Sequence, residues 1–164
     1  MTDPELFGRD RELEAGRSFL AGDRRGLVIE GAAGIGKTAV WRGLLEGARS
    51  DGYLVLECVG DSAEARLTFV GLSDLLGDVV DPVLPRLPPP QARALEVALL
   101  RVEAADSPSE PLAVAAGALG ALQELAASAP VLISIDDVPW LDPATAEAMT
   151  FAARRLRDGR VRFS

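Results

Sequence analysis

The sequence predicts an α/β fold, a mainly parallel sheet held between two layers of helices, and three observations predict it. The apolar run Leu27-Val28-Ile29 enters a glycine loop, Gly31–Thr38, and a helical pattern leaves it. A second strand candidate, Tyr53–Val59, follows that helix, so strand, loop, helix and strand read as one βαβ unit, whose strands are parallel. Far downstream, Val131-Leu132-Ile133-Ser134-Ile135 reads as a buried strand ending in two acids, Asp136 and Asp137.

The loop Gly31-Ala32-Ala33-Gly34-Ile35-Gly36-Lys37-Thr38 fits the phosphate-loop pattern G-x-x-x-x-G-K-[ST]. A polyphosphate needs several backbone N–H groups aimed at it from close range, and Cβ atoms would hold it off. Glycines 31, 34 and 36 let the loop curl, and the helix starting near Lys37 adds its N-terminal dipole, with Ala39 in the first turn. Lys37 suits the β- and γ-phosphates as a point charge, and the Thr38 hydroxyl suits Mg²⁺. Lys37 is the only lysine among 17 basic residues. A flat guanidinium does not fit a cradle built for a compact ammonium, so lysine stands where the chemistry asks for it.

Composition removes other chemistries. The chain has 164 residues, 48% hydrophobic and 26% charged, the size and balance of one globular domain, here taken as residues 1–164. It has no histidine and one cysteine, Cys58, which excludes Ser-His-Asp and Cys-His catalysis, an internal disulfide and cysteine-cluster metal sites. The net charge of −8 argues against a free-standing DNA-binding domain, and Arg154-Arg155-Leu156-Arg157 reads as favourable charge at a helix C-terminus. No apolar run reads as a bilayer span and the N-terminus is acidic, so the expectation is a cytoplasmic protein with no membrane partner.

In chain order, a helix is expected from Phe7-Gly8-Arg9-Asp10 to about Ala21, then a strand at Leu27–Glu30. The phosphate-loop helix should stop at Ser50-Asp51-Gly52, and Cys58 reads as a small core residue at a strand end. Phe69–Leu76 reads as a short amphipathic helix, and the five prolines from Pro82 to Pro90 as an extended connection. Helices at Gln91–Val102 and from Leu112 to about Ser128 flank a loop at Ala104–Ser109. Asp142-Pro143 reads as the N-cap and first turn of a helix with Ala146, Met149, Ala153 and Leu156 on its buried face, ended by Asp158-Gly159. Val161–Ser164 begins one more strand.

An acid at the tip of a buried strand can hold Mg²⁺ opposite Thr38, the Walker B role, because ligands of open α/β sheets sit beyond the strands' carboxyl ends. Asp136 is assigned to the metal and Asp137 to the attacking water. The combination resembles the ATPase domain of large LuxR-type transcriptional regulators, within the AAA/STAND P-loop NTPases. The likeness rests on Phe7–Leu13, Gly31–Thr38, Glu64–Leu72, Leu87–Gln91, and Pro130–Pro143 with its Asp136-Asp137-x-x-Trp140-x-Asp142 signature, continuing to Phe151–Leu156.

The resemblance implies ATP and Mg²⁺ as ligands and an ATP-dependent switch inside a signal-responsive activator. It places Phe7-Gly8-Arg9 near the adenine, with Arg9 as the nucleotide contact. Pro139 departs from the family, which usually has a polar residue there. The family's sheet continues past Val161 into a sensor strand, a lid and a DNA-binding region, which implies a domain incomplete at its C-terminus, with DNA met only through a region outside these residues. The strand between the phosphate-loop and Walker B strands is expected to be lacking, leaving apolar edges open to self-association. Three functions compete: a nucleotide-binding switch with slow or no hydrolysis, favoured for these 164 residues; an active ATPase with Lys37 and Asp137 as catalytic residues; and a small P-loop kinase, disfavoured because the Ala- and Pro-rich middle offers no basic acceptor site.

Overall fold

Among the described residues, three parallel strands make the sheet: β1 (Leu54–Val59), β2 (Val131–Asp136) and β3 (Val161–Phe163), in that spatial order. The computed structural model describes residues 9–32, 34–103, 110–157 and 159–164. Among the described residues, six α-helices surround the sheet: α1 (Asp10–Ala21), α2 (Lys37–Ser50), α3 (Val70–Leu76), α4 (Pro89–Ala98), α5 (Pro111–Ser128) and α6 (Pro143–Ala153). In register, Leu54 pairs with Val131 and Val59 with Asp136, while Val131 pairs with Val161 and Ile133 with Phe163.

Side chains alternate across a strand, and this sheet uses both faces. Leu56, Cys58, Val131, Ile133 and Val161 enter the larger core, built with α3 to α6. The intervening Val55 and Leu132 meet Phe19, Leu20, Trp41, Leu44, Leu45 and Ala48 of α1 and α2. The result is the expected three-layer α/β sandwich. The alternation also puts Ser134 and Asp136 on the α2 face, in phase with Leu132.

The first expected strand is the main departure. Residues 27–30 form no regular strand; a single parallel bridge joins Gly26 to Phe163, with Leu27 N–H donating to Phe163 O and Phe163 N–H to Arg25 O. β3 is three residues long, and among the described residues its pairing with this segment stops at Gly26 and Leu27. Val28 is 77% exposed. Nor is the phosphate-loop segment a neighbour of β1, as a simple βαβ unit would have it: β2 and β3 lie between. The strand expected to be lacking at that place is present as β3, three residues long.

Smaller corrections follow packing. The proline-rich stretch is not extended: it holds a 3₁₀ turn at Leu84–Arg86, and Val80, Val83 and Leu87 turn into the core. α4 starts at Pro89 and ends at Ala98, four residues before the expected Val102, where Leu100 adopts a positive φ of 55°. α6 ends at Ala153, before Asp158, and buries Thr145, Ala148, Met149 and Ala152; of the expected face Met149 is buried while Ala146 and Ala153 are not, and Leu156 is buried beyond the helix. The expected loop at Ala104–Ser109 lies outside the described residues. Contrary to the sequence reading, α5 is long and apolar enough to cross a membrane, with mean hydropathy 1.2 over 18 residues. It serves instead as a core helix, packed against α4 and α6 through Val114, Ala118, Ala121 and Leu122.

Candidate functional site

The glycine loop is formed as its sequence demands. Gly34 and Gly36 have φ of +75° and +91°, left-handed values that a Cβ would oppose, and Gly36 is the N-cap of α2. A glycine cap offers no side-chain acceptor, so the first-turn N–H groups of α2 carry no side-chain cap and face outward. Lys37 Nζ donates to Gly31 O at 3.0 Å and Ala32 O at 3.2 Å, which folds the ammonium back over the loop. Thr38 is exposed and Ala39 is buried in the core below. Gly31, Ala32 and Ile35 lie at the surface, and Ile35 N–H closes a turn onto Ala32 O at 3.3 Å. Phe7, Gly8 and Ala33 lie outside the described residues.

Arg9 caps the start of α1 and reaches across the loop. Its guanidinium donates to Ile35 O, and to Glu12 Oε1 at 3.0 Å. Glu12's own backbone amide, and after it the Arg9 guanidinium, hold that carboxyl below the usual glutamate range. A Cβ on Gly36 would stand 3.4 Å from Arg9 Nη2, so the guanidinium lies directly on the loop. Beneath it a cavity of about 290 Å³ runs between Leu13 and Gly16 of α1, the segment Leu27–Glu30, and Lys37, Val40 and Leu44 of α2. Sequence reading missed this apolar wall; Gly16, set inside a helix against Leu44, was its only local signal.

At the tip of β2, Asp136 is half-buried and its Oδ1 accepts the N–H of Asp137 at 2.9 Å. Asp137 is exposed and holds φ +50°, a left-handed conformation that aspartate tolerates better than most residues and that often marks a functional turn. Gly60, just past β1, is packed against this turn. A Cβ there would meet Asp137 O at 2.5 Å, Leu141 N at 2.8 Å and Trp140 C at 2.9 Å, and Gly60 N–H donates to Asp136 O at 3.0 Å. Only glycine lets β1 pass so close to the acidic tip.

Asp142 does more than cap α6. Its carboxylate accepts N–H groups from Thr145 at 2.9 Å, Phe69 at 3.0 Å and Gly71 at 3.1 Å, so one buried side chain serves the starts of both α6 and α3. Burial opposes its ionisation, but the hydrogen bonds from Thr145, Gly71 and Phe69 outweigh that and hold its pKa below the usual aspartate range. Thr145 Oγ1 extends the clamp by accepting Leu72 N–H at 2.9 Å. Beside it, burial first and the charges of Asp74 and Asp142 next push the Cys58 thiol up to about 12. Among the described residues, no group of three or more His, Cys, Asp or Glu stands ready to hold a metal by itself.

The family model of the AAA ATPase domain matches residues 5–163. No curated protein and no solved structure matches the chain.

Proposed function

Since the chain belongs to the AAA ATPase domain family, we propose that it is the ATP- and Mg²⁺-binding switch of a LuxR-type transcriptional regulator, with slow or no hydrolysis by these residues alone. A nucleotide-binding, ATPase-like function is what family membership carries. The observation that takes the proposal further is the loop itself: two left-handed glycines, a helix start with no side-chain cap and the chain's only lysine come together there. The fit is one of donors. The loop offers backbone N–H groups, the Lys37 ammonium and the Arg9 guanidinium, and the apolar cavity of about 290 Å³ beside them suits a base.

Lys37 would leave the carbonyls of Gly31 and Ala32 for phosphate oxygens, gaining a charged partner for two neutral ones. Thr38 and Asp136 would hold the Mg²⁺, which would supply positive charge against the phosphates. A site with one threonine and one carboxylate relies on the nucleotide and water for its other ligands, as Mg²⁺ sites of this chemistry do. Asp137, exposed at the turn, would orient water. The switch reading is preferred to the active ATPase because no arginine is assigned to the transition-state charge, a contribution worth roughly 10³–10⁵ in rate where an arginine finger acts. The DNA contacts of such a regulator would lie outside this chain, whose net charge is −8.

Isothermal titration of ATP and ADP, with and without Mg²⁺, tests the reading. The parent chain should release binding heat with both nucleotides, and Lys37→Ala should abolish it. Absence of heat from a folded parent would overturn the proposal, and steady phosphate release that vanishes in Asp137→Asn would favour the active ATPase.

A further inference from the structure

The two halves of the proposed site stand on separate elements, Thr38 on α2 and Asp136 on β2, and something must set their separation. Among the described residues, one side-chain hydrogen bond joins these elements: Trp41 Nε1–H donates to Ser134 Oγ at 2.6 Å. Ser134 is fully buried, Trp41 is 9% exposed, and the Ser134 hydroxyl also shares a hydrogen bond with Ser164 Oγ at 2.7 Å, beside β3. A polar chain thus crosses from the phosphate-loop helix through the Asp136 strand to the third strand, inside an otherwise apolar layer formed by Leu44, Leu45 and Leu132.

Its position in sequence gives it leverage. Trp41 follows Thr38 by three residues, about 4.5 Å of helix rise, and Ser134 precedes Asp136 by two, about 6.7 Å along the strand on the same face. Both proposed metal ligands therefore lie on the same side of the bond, toward the carboxyl ends of the strands, each a short rigid step from it. We infer that Trp41 and Ser134 are positioning residues that fix the Thr38–Asp136 separation and so set the affinity for Mg²⁺ on the bound nucleotide, an inference that rests on the nucleotide-site reading above. Direct hydrogen-bond partners of a metal ligand typically change metal affinity by roughly 10–100-fold when removed, and a support acting through a rigid helix and strand works on the same separation.

The test is the Mg²⁺ enhancement of ATP binding, the ratio of affinities with the metal and with chelator, measured by titration on the 164-residue chain. Trp41→Phe and Ser134→Ala each remove the bond from one side. Each should bind Mg²⁺-free ATP within about twofold of the parent while the enhancement falls roughly 10–100-fold. The double variant should be no worse than either single one, and Ser134→Thr, which keeps the hydroxyl, should restore the enhancement. Unchanged enhancement in a folded variant overturns the inference, as does an equal loss with and without metal, which would mark a merely structural role. The second measurement needs no packing change: with Trp140→Phe, Trp41 is the only indole in the chain. Its emission should shift when Mg²⁺ is added to the ATP complex, and emission blind to the metal counts against the inference. A parent that binds no nucleotide removes the underlying reading, and the inference with it; a parent that binds nucleotide while the enhancement ignores both variants sinks the inference alone.

Discussion

Asp142→Asn isolates what the buried carboxylate contributes to holding two helices together. Oδ1 accepts the N–H groups of Phe69 and Thr145, and Oδ2 accepts that of Gly71. Asparagine keeps one acceptor but turns an amide N–H toward Gly71, leaving donor against donor in a site only 3% exposed. A buried donor stripped of its acceptor costs about 1–3 kcal/mol, which for a chain of this size lowers the melting temperature by roughly 2–12 °C at pH 7. Asp142→Ala strands all three donors and should cost about 3–5 kcal/mol. The pH dependence has a definite sign. The native pKa is lowered from 3.8, so the unfolded chain binds this proton more tightly than the native one. The stabilisation is therefore complete well above pH 3.8 and is lost as pH falls through the native value. The gap between parent and Asp142→Asn should begin to narrow below about pH 4, where the unfolded parent takes up its proton, and close once pH falls below the native value, where the folded parent also presents a neutral side chain. Thermal melts followed by circular dichroism from pH 7 to pH 3 measure both quantities. Equal melting temperatures at neutral pH, or a gap that does not shrink in acid, would refute the double-cap reasoning.

Gly60→Ala should destabilise by about 1–3 kcal/mol in urea denaturation, because its Cβ would meet three backbone atoms at 2.5–2.9 Å. Gly47→Ala, inside α2 with nothing within 4 Å of the new Cβ, should instead stabilise by about 0.5–1 kcal/mol; equal effects would dismiss the close approach at the acidic tip. Cys58 should resist alkylation by iodoacetamide at pH 8 in the folded chain and react on unfolding, since its thiol is buried and held protonated up to about 12. Because the unfolded thiol ionises near 9.0, stability should also fall as pH rises above 9, and rapid native labelling would contradict the burial.

The catalytic-looking parts of this chain were legible because their chemistry is local. Gly31–Thr38 fixes its own shape through glycine conformations and the helix it starts, and Val131–Asp136 declares a buried strand by its unbroken apolar run. Asp142 was legible as the cap of α6, three residues from the N–H it accepts. Its second role on α3 was not, because Phe69 and Gly71 lie more than seventy positions away and nothing at 69–71 asks for a carboxylate. The same distance hid Trp41 and Ser134, which read separately as a helix-face aromatic and a small strand residue. Leu27–Glu30 failed for another reason. Its pattern suits a strand, but a strand needs a neighbour, and β3 supplies pairing only as far as Gly26 and Leu27.

The bias toward arginine acquires a physical meaning from the same contacts. Buried Arg162 on β3 spreads its fork over Tyr53 Oη at 2.8 Å, Arg24 O at 2.6 Å and Gly22 O at 2.7 Å, gathering the loop that leads from α1 to the phosphate loop. Arg25 donates to the carbonyls of Leu156 and Arg157 just beyond α6, Arg160 to Ala127 O near the end of α5, and Arg155 to Phe151 O while lying 3.6 Å from the centre of the Phe151 ring. These are tasks for a flat group with five donors, which can satisfy several carbonyls or stack on a ring at once. Within the Arg154–Arg157 cluster, the Arg155 guanidinium is committed to its own helix end. Lys37 has the opposite task. On the proposed nucleotide-site reading, its carbonyl contacts at Gly31 and Ala32 would be exchanged for phosphate, which a single compact ammonium can do in one movement. Arginine holds the frame of this domain together, and on that reading its one lysine is kept for the place where a bond has to be given up.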